Sequence, residues 1–197
     1  MCSGLRCRVH TTGAALTPAA HACEDPPVEH DIDPVTVGAV GVLDPGECAA
    51  VATRVAALID VEALDSSAPG EAVPLWRTAG SEAWLNTWWQ PRDSGFHDHG
   101  GSGGGVHVIA GEVTGEYLRI EGGRRATRFG AGESFSFTGD RIHRVDHHEG
   151  AVTVHVYSPP LGSIGHYELV DGELRREHGP PDEVSPPSAA LTRALGG

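Results

Sequence analysis

Between residues 73 and 158 short β-branched and aromatic runs alternate with glycine-containing breaks. Alternation of apolar and polar positions over such lengths is the mark of half-buried strands. It predicts strands over 73–78, 83–90, 106–112, 114–120, 124–129, 133–138, 142–147 and 151–158. Eight short strands with tight turns suit a small closed all-β barrel whose mouth holds one ligand. One segment repeats at the other period. Asp44-Pro45 reads as an N-cap with proline at the first helical position, and Val51, Val55, Ala56, Leu58 and Ile59 extend the pattern, predicting a helix over about 45–64. Ser66 to Gly70 then breaks it.

The same reading divides the chain into three parts. Residues 1–35 show no periodicity and read as a loosely ordered leader, 36–175 form one domain, and 176–197, with two Pro-Pro pairs, read as a flexible tail. With 197 residues the domain is large enough for a sizeable core. The net charge of −13, from 27 acidic and 14 basic residues, argues against nucleic acid and anionic membranes as partners, since both demand clustered cations. A small molecule fits better. Cys2, Cys7, Cys23 and Cys48 all precede the strands and cannot staple them, so a reduced, cytoplasmic protein is expected. No signal peptide and no membrane helix are expected either.

The candidate chemistry lies in the strand region. His97-Asp98-His99 places two imidazoles one residue apart, and alternate residues of a strand share a face, so both can meet one metal ion. A glycine-rich tract, Gly100 to Gly105, follows, and His143 lies downstream after Gly130-Ala131-Gly132. Asp98, between the two, faces the other way and suits a structural hydrogen bond. Of His147 and His148, adjacent on a strand, only one can point inward. The frame of His-x-His, glycine tract and distant histidine resembles the two motifs of the cupin superfamily, over roughly residues 75–160. Phe96-His97-Asp98-His99-Gly100, Ile142-His143-Arg144-Val145-Asp146 and Val154-His155-Val156-Tyr157-Ser158-Pro159-Pro160 together resemble the thiol dioxygenases of the cysteine dioxygenase type.

That resemblance implies a small cupin barrel holding Fe(II) on His97, His99 and His143. The glutamate ligand usual in cupins is replaced by glycine, at about Gly104. Three imidazoles leave the cation its full charge, which a thiolate substrate can offset. The implied reaction adds both atoms of O2 to the sulfur of a small thiol, giving a sulfinic acid. The rivals are a cupin metalloenzyme for a non-thiol substrate and a non-catalytic ligand-binding cupin. Thr153, His155 and Tyr157 alternate with valines, and the resemblance implies that they form an inward relay, with Tyr157 handling protons, His155 orienting it and Thr153 supporting both. Some family members crosslink that tyrosine to a cysteine near position 104; Gly104 excludes this here. A guanidinium suits a substrate carboxylate, and Arg77 is the first candidate by chain order, with Arg92 and Arg119 behind it. His107, after the glycine tract, is a second candidate substrate contact.

Overall fold

The structure is a computed structural model describing residues 32–177, apart from 65, 68, 69 and 119–122, together with the backbone of 182–183. Most of the leader and most of the tail expected from the sequence lie outside the described residues.

The all-β expectation holds. Among the described residues one α-helix, α1 (Pro45–Ala56), precedes thirteen strands. Asp44 caps it through a reciprocal box, its side chain accepting from Glu47 N while Glu47 accepts from Asp44 N. The helix is shorter than the predicted 45–64, because after Ala57 the chain turns away, leaving Leu58 exposed, and a separate 3-10 turn, Val61–Ala63, starts at Asp60. No described helix is long and apolar enough to cross a membrane.

All eight predicted strands are present, as β1 (Ala72–Arg77), β2 (Glu82–Trp88), β5 (Gly103–Ala110), β6 (Glu112–Leu118), β7 (Arg124–Gly130), β8 (Ser134–Phe137), β9 (Arg144–His147) and β10 (Ala151–Ser158). Of the remaining strands, β4 (Phe96–Asp98) carries the His97-x-His99 pair that its spacing set on a strand, whereas β3 (Arg92–Asp93), β11 (Ser163–Val170), β12 (Glu173–Arg176) and β13 (Asp182–Glu183) are additional to the predicted ones. The principal sheet runs β1-β2-β10-β5-β8; a second runs β3-β9-β6-β7; and β11 pairs with β4, β12 and β13.

Helix α1 packs on the outer face of the principal sheet. Cys48, Val51 and Val55 meet Val152, Val154, Val156 and Leu85 in one apolar core, and burial of such side chains contributes roughly 1.5–3 kcal/mol each. The approach is close. A Cβ on Gly105 would lie 2.1 Å from Ala49 N, so only glycine lets the helix seat there. With valines turned to the helix, Thr153, His155 and Tyr157 turn inward, where the sheets enclose a small cavity.

Candidate metal centre

His97 lies on β4, His99 just beyond it and His143 just before β9. The two chain segments are tied by a reciprocal backbone pair, His97 N to His143 O at 2.8 Å and His143 N to His97 O at 3.1 Å. His99 is fixed by the turn after it. Gly100 takes a positive φ of 60° and its N donates to Asp98 Oδ1 at 2.9 Å, while Ser102 N donates to His99 O at 3.1 Å. Asp98 thus has the structural role expected of it, and its other oxygen accepts from the Tyr167 hydroxyl at 2.6 Å.

The three rings meet edge to face with centroids 4.9, 4.9 and 5.0 Å apart, and one ligand atom from each lies within 4.8 Å of the others. Burial lowers the pKa of His97 and holds those of His99 and His143 well below the ordinary range; neighbouring histidines add to the effect at His99 and His143. Three neutral imidazoles result. His97 Nδ1 donates to Gly95 O at 3.0 Å, which leaves Nε2 as the lone-pair nitrogen. His99 Nδ1 is buried with no partner in the protein. A cluster of three neutral nitrogen donors without a carboxylate fits a divalent first-row transition metal.

Gly104, where the resemblance sets the usual fourth protein ligand, lies against the Phe137 ring. Phe137 stacks on His99 at 4.5 Å and meets His143 edge-on at 4.7 Å, and its ring fills the space over Gly104. Neither a glutamate nor a crosslinking cysteine has room at Gly104.

The inward strand face carries a continuous row. Thr153 Oγ1 lies 3.0 Å from His155 Nε2, and His155 Nδ1 lies 3.0 Å from the Tyr157 hydroxyl. Thr153 and His155 are buried, so each contact satisfies a group that would otherwise be costly to bury. Burial holds the His155 imidazole neutral, and burial with the nearby Glu82 charge pushes the Tyr157 phenol far above its usual value. Tyr157 therefore stays protonated at any physiological pH. Its ring centroid is 5.4 Å from that of His99.

A cavity of about 190 Å³ joins the three histidines to this row. Its wall also includes Asn86, Trp88 and His147, none of which the sequence reading placed there. His147 is the inward member of its pair; it stacks on Trp88 at 4.0 Å, whereas His148 bonds Thr114 at 2.9 Å. Burial pushes His147 down to about 4, and the Arg92 carbonyl opposes this without reaching hydrogen-bond geometry.

The two expected substrate contacts lie elsewhere. His107 faces away from the cavity, its Nδ1 held by Ser134 Oγ at 2.8 Å and Thr53 Oγ1 at 3.2 Å, beside the helix. Arg77 stands at the end of β1, in an ion pair with the buried Glu82. Arg92 stacks over Trp88 at 5.6 Å, and Arg119 lies outside the described residues.

No curated protein matches the chain in sequence. Among solved structures, the chain is similar to an uncharacterized conserved protein with a double-stranded β-helix domain from Klebsiella pneumoniae (14% identity, TM-score 0.42, covering 61% of this chain and 96% of that one). It is also similar to an RmlC-like cupin protein from Desulfovibrio desulfuricans (12%, 0.40, 50% and 89%) and to KdgF from a Halomonas species (17%, 0.39, 46% and 79%). Residues 76–169, the stretch holding the histidine cluster and the Thr153–His155–Tyr157 row, match the family model of cysteine dioxygenase type I, the family that the motifs resemble.

Proposed function

We propose that this chain is a mononuclear non-haem iron thiol dioxygenase. The observation that carries the reading is the pairing of a three-histidine cluster, without a carboxylate among the described residues, with a half-buried tyrosine on the same cavity. The overall reaction is balanced as RSH + O2 → RSO2H: sulfur loses four electrons, dioxygen gains them, and both oxygen atoms end on sulfur. Bound on His97, His99 and His143, ferrous iron would supply Lewis acidity toward the thiol and an electron source for dioxygen.

The chain's own residues do the rest. Tyr157, protonated and pinned by His155, presents a hydroxyl to the cavity and holds a proton at its phenolic oxygen. Thr153 fixes the His155 ring from behind. Phe137, Val106 and Val145 give the cavity dry walls, which strengthen every polar contact made inside it.

The test is metal analysis of the purified protein together with oxygen uptake over a panel of small thiols. One iron per chain and one O2 consumed per sulfinate formed are expected. Turnover independent of thiol would indicate another cupin enzyme, and no turnover with any iron-loaded sample would indicate a binding protein; either result overturns the reading.

A further inference from the structure

Among the described residues, Glu82 is the one acidic side chain that is buried, at 1% exposure. A buried carboxylate demands compensation. Glu82 receives it from an ion pair between its Oε2 and Arg77 Nη1, and from Trp84 Nε1, which donates to Oε1 at 3.1 Å. The other end of the guanidinium is also committed, with Arg77 Nη2 donating to Leu161 O at 2.9 Å. In the sheet Glu82 stands opposite Arg77 on one side and opposite Tyr157 on the other, so all three share one face of the sheet, with Tyr157 on the cavity wall and the Glu82–Arg77 pair beyond it. The charge of Glu82 is felt at the Tyr157 hydroxyl.

The cavity wall carries no cation of its own. The chain contains no lysine, and among the described residues no arginine lines this cavity; Arg125 and Arg141 line a separate cavity that shares Phe137 and His143 with it. What lines it is neutral and hydrogen-bonding. Trp88 Nε1 and both ring nitrogens of His147 are buried there without a protein partner, next to Asn86. A carboxylate entering this space would lose its hydration and find the Arg77 guanidinium already taken by the protein's own carboxylate.

We propose that Glu82 sets the substrate class: by pairing with Arg77 it withdraws the guanidinium from the site, which therefore takes small thiols ending in an uncharged or cationic polar group rather than a carboxylate. This rests on the thiol dioxygenase reading. Glu82 acts through Arg77 and is a specificity-determining, positioning residue.

The experiment titrates the cobalt-loaded protein without oxygen with 2-mercaptoethanol, cysteamine and 3-mercaptopropionate, following the thiolate-to-metal absorption band, and measures oxygen uptake of the iron-loaded protein with the same thiols. The wild type should bind the first two on the order of tenfold tighter than 3-mercaptopropionate. Glu82→Gln, which frees Arg77, should tighten 3-mercaptopropionate by on the order of tenfold, and adding Arg77→Gln should abolish that gain. General loosening of the fold would not reorder the three thiols. Glu82→Met serves if the Gln variant does not fold, and the wild-type ranking stands on its own. A wild type that binds 3-mercaptopropionate best, or a Glu82 variant with an unchanged ranking, overturns the inference while leaving the dioxygenase reading intact. If no thiol binds or is oxidised, both fall.

Discussion

Gly104 and Phe137 are mutually exclusive with any side chain between them: a Cβ on Gly104 would stand 2.5 Å from Phe137 Cζ and 3.1 Å from Tyr157 Cδ1. The three-histidine character of the centre is thus enforced by an aromatic ring as well as by the absence of a carboxylate. Gly104→Ala should destabilise the fold by about 1–3 kcal/mol, as overpacking does. In the Phe137→Ala background the same change should cost under about 1 kcal/mol, because the space then exists. Urea unfolding of the four proteins measures the coupling.

Removal of one hydroxyl should separate stability from turnover along the inward row. Thr153→Ala leaves His155 Nε2 buried and unpaired and should cost about 1–3 kcal/mol, with Thr153→Ser restoring most of it. Tyr157→Phe should leave metal content unchanged and reduce kcat at least about a hundredfold, the scale of a lost proton-handling group. Unchanged turnover in Tyr157→Phe would remove that residue from the proposed chemistry.

Stability of the metal-free protein should decline on the acid side. A histidine whose folded pKa lies below its unfolded value binds its proton more readily in the unfolded chain, so its contribution is complete above about pH 6.5 and is lost as pH falls toward the folded value. His147, at about 4, should alone cost up to about 3 kcal/mol across that window, and His97, His99, His143 and His155 shift in the same direction. Urea midpoints at pH 7.5, 6 and 5 should fall monotonically, and His147→Gln should flatten part of the slope.

The Cys48 thiol should be inert. It is fully buried under α1, and burial, with Asp44 and Glu47 nearby, pushes it up to about 11. Mass-resolved labelling at pH 8 should modify Cys48 only at the rate of unfolding, and Cys48→Ala should cost about 1–2 kcal/mol through lost packing.

Much of the site was legible in the sequence because period-two alternation transfers directly to sheet faces. His97 and His99 followed from their spacing; alternation put Thr153, His155 and Tyr157 on one face, and the family resemblance implied that this face turns inward. The same rule, applied to β5, would have turned His107 outward: Val106 lies on the cavity wall, so its neighbour faces the helix. Likewise Glu82, Asn86 and Trp88 alternate on β2 and share the relay's face, a signal hidden by the aromatic density of that segment. What alternation cannot supply is a partner from another strand. The ion pair that holds Arg77 and the ring that Phe137 lays over Gly104 are tertiary events, as is the pairing of β4 with β11.

The reciprocal amide pairing of residues 97 and 143 has a consequence for ion selection. Two of the three nitrogen donors hang from main chain that is already stitched together, so an incoming cation meets a seat of fixed span and cannot mould it. Discrimination among ions must then fall on the ion's own taste in geometry: those content with a facial tripod will settle, and those demanding a square plane will sit poorly.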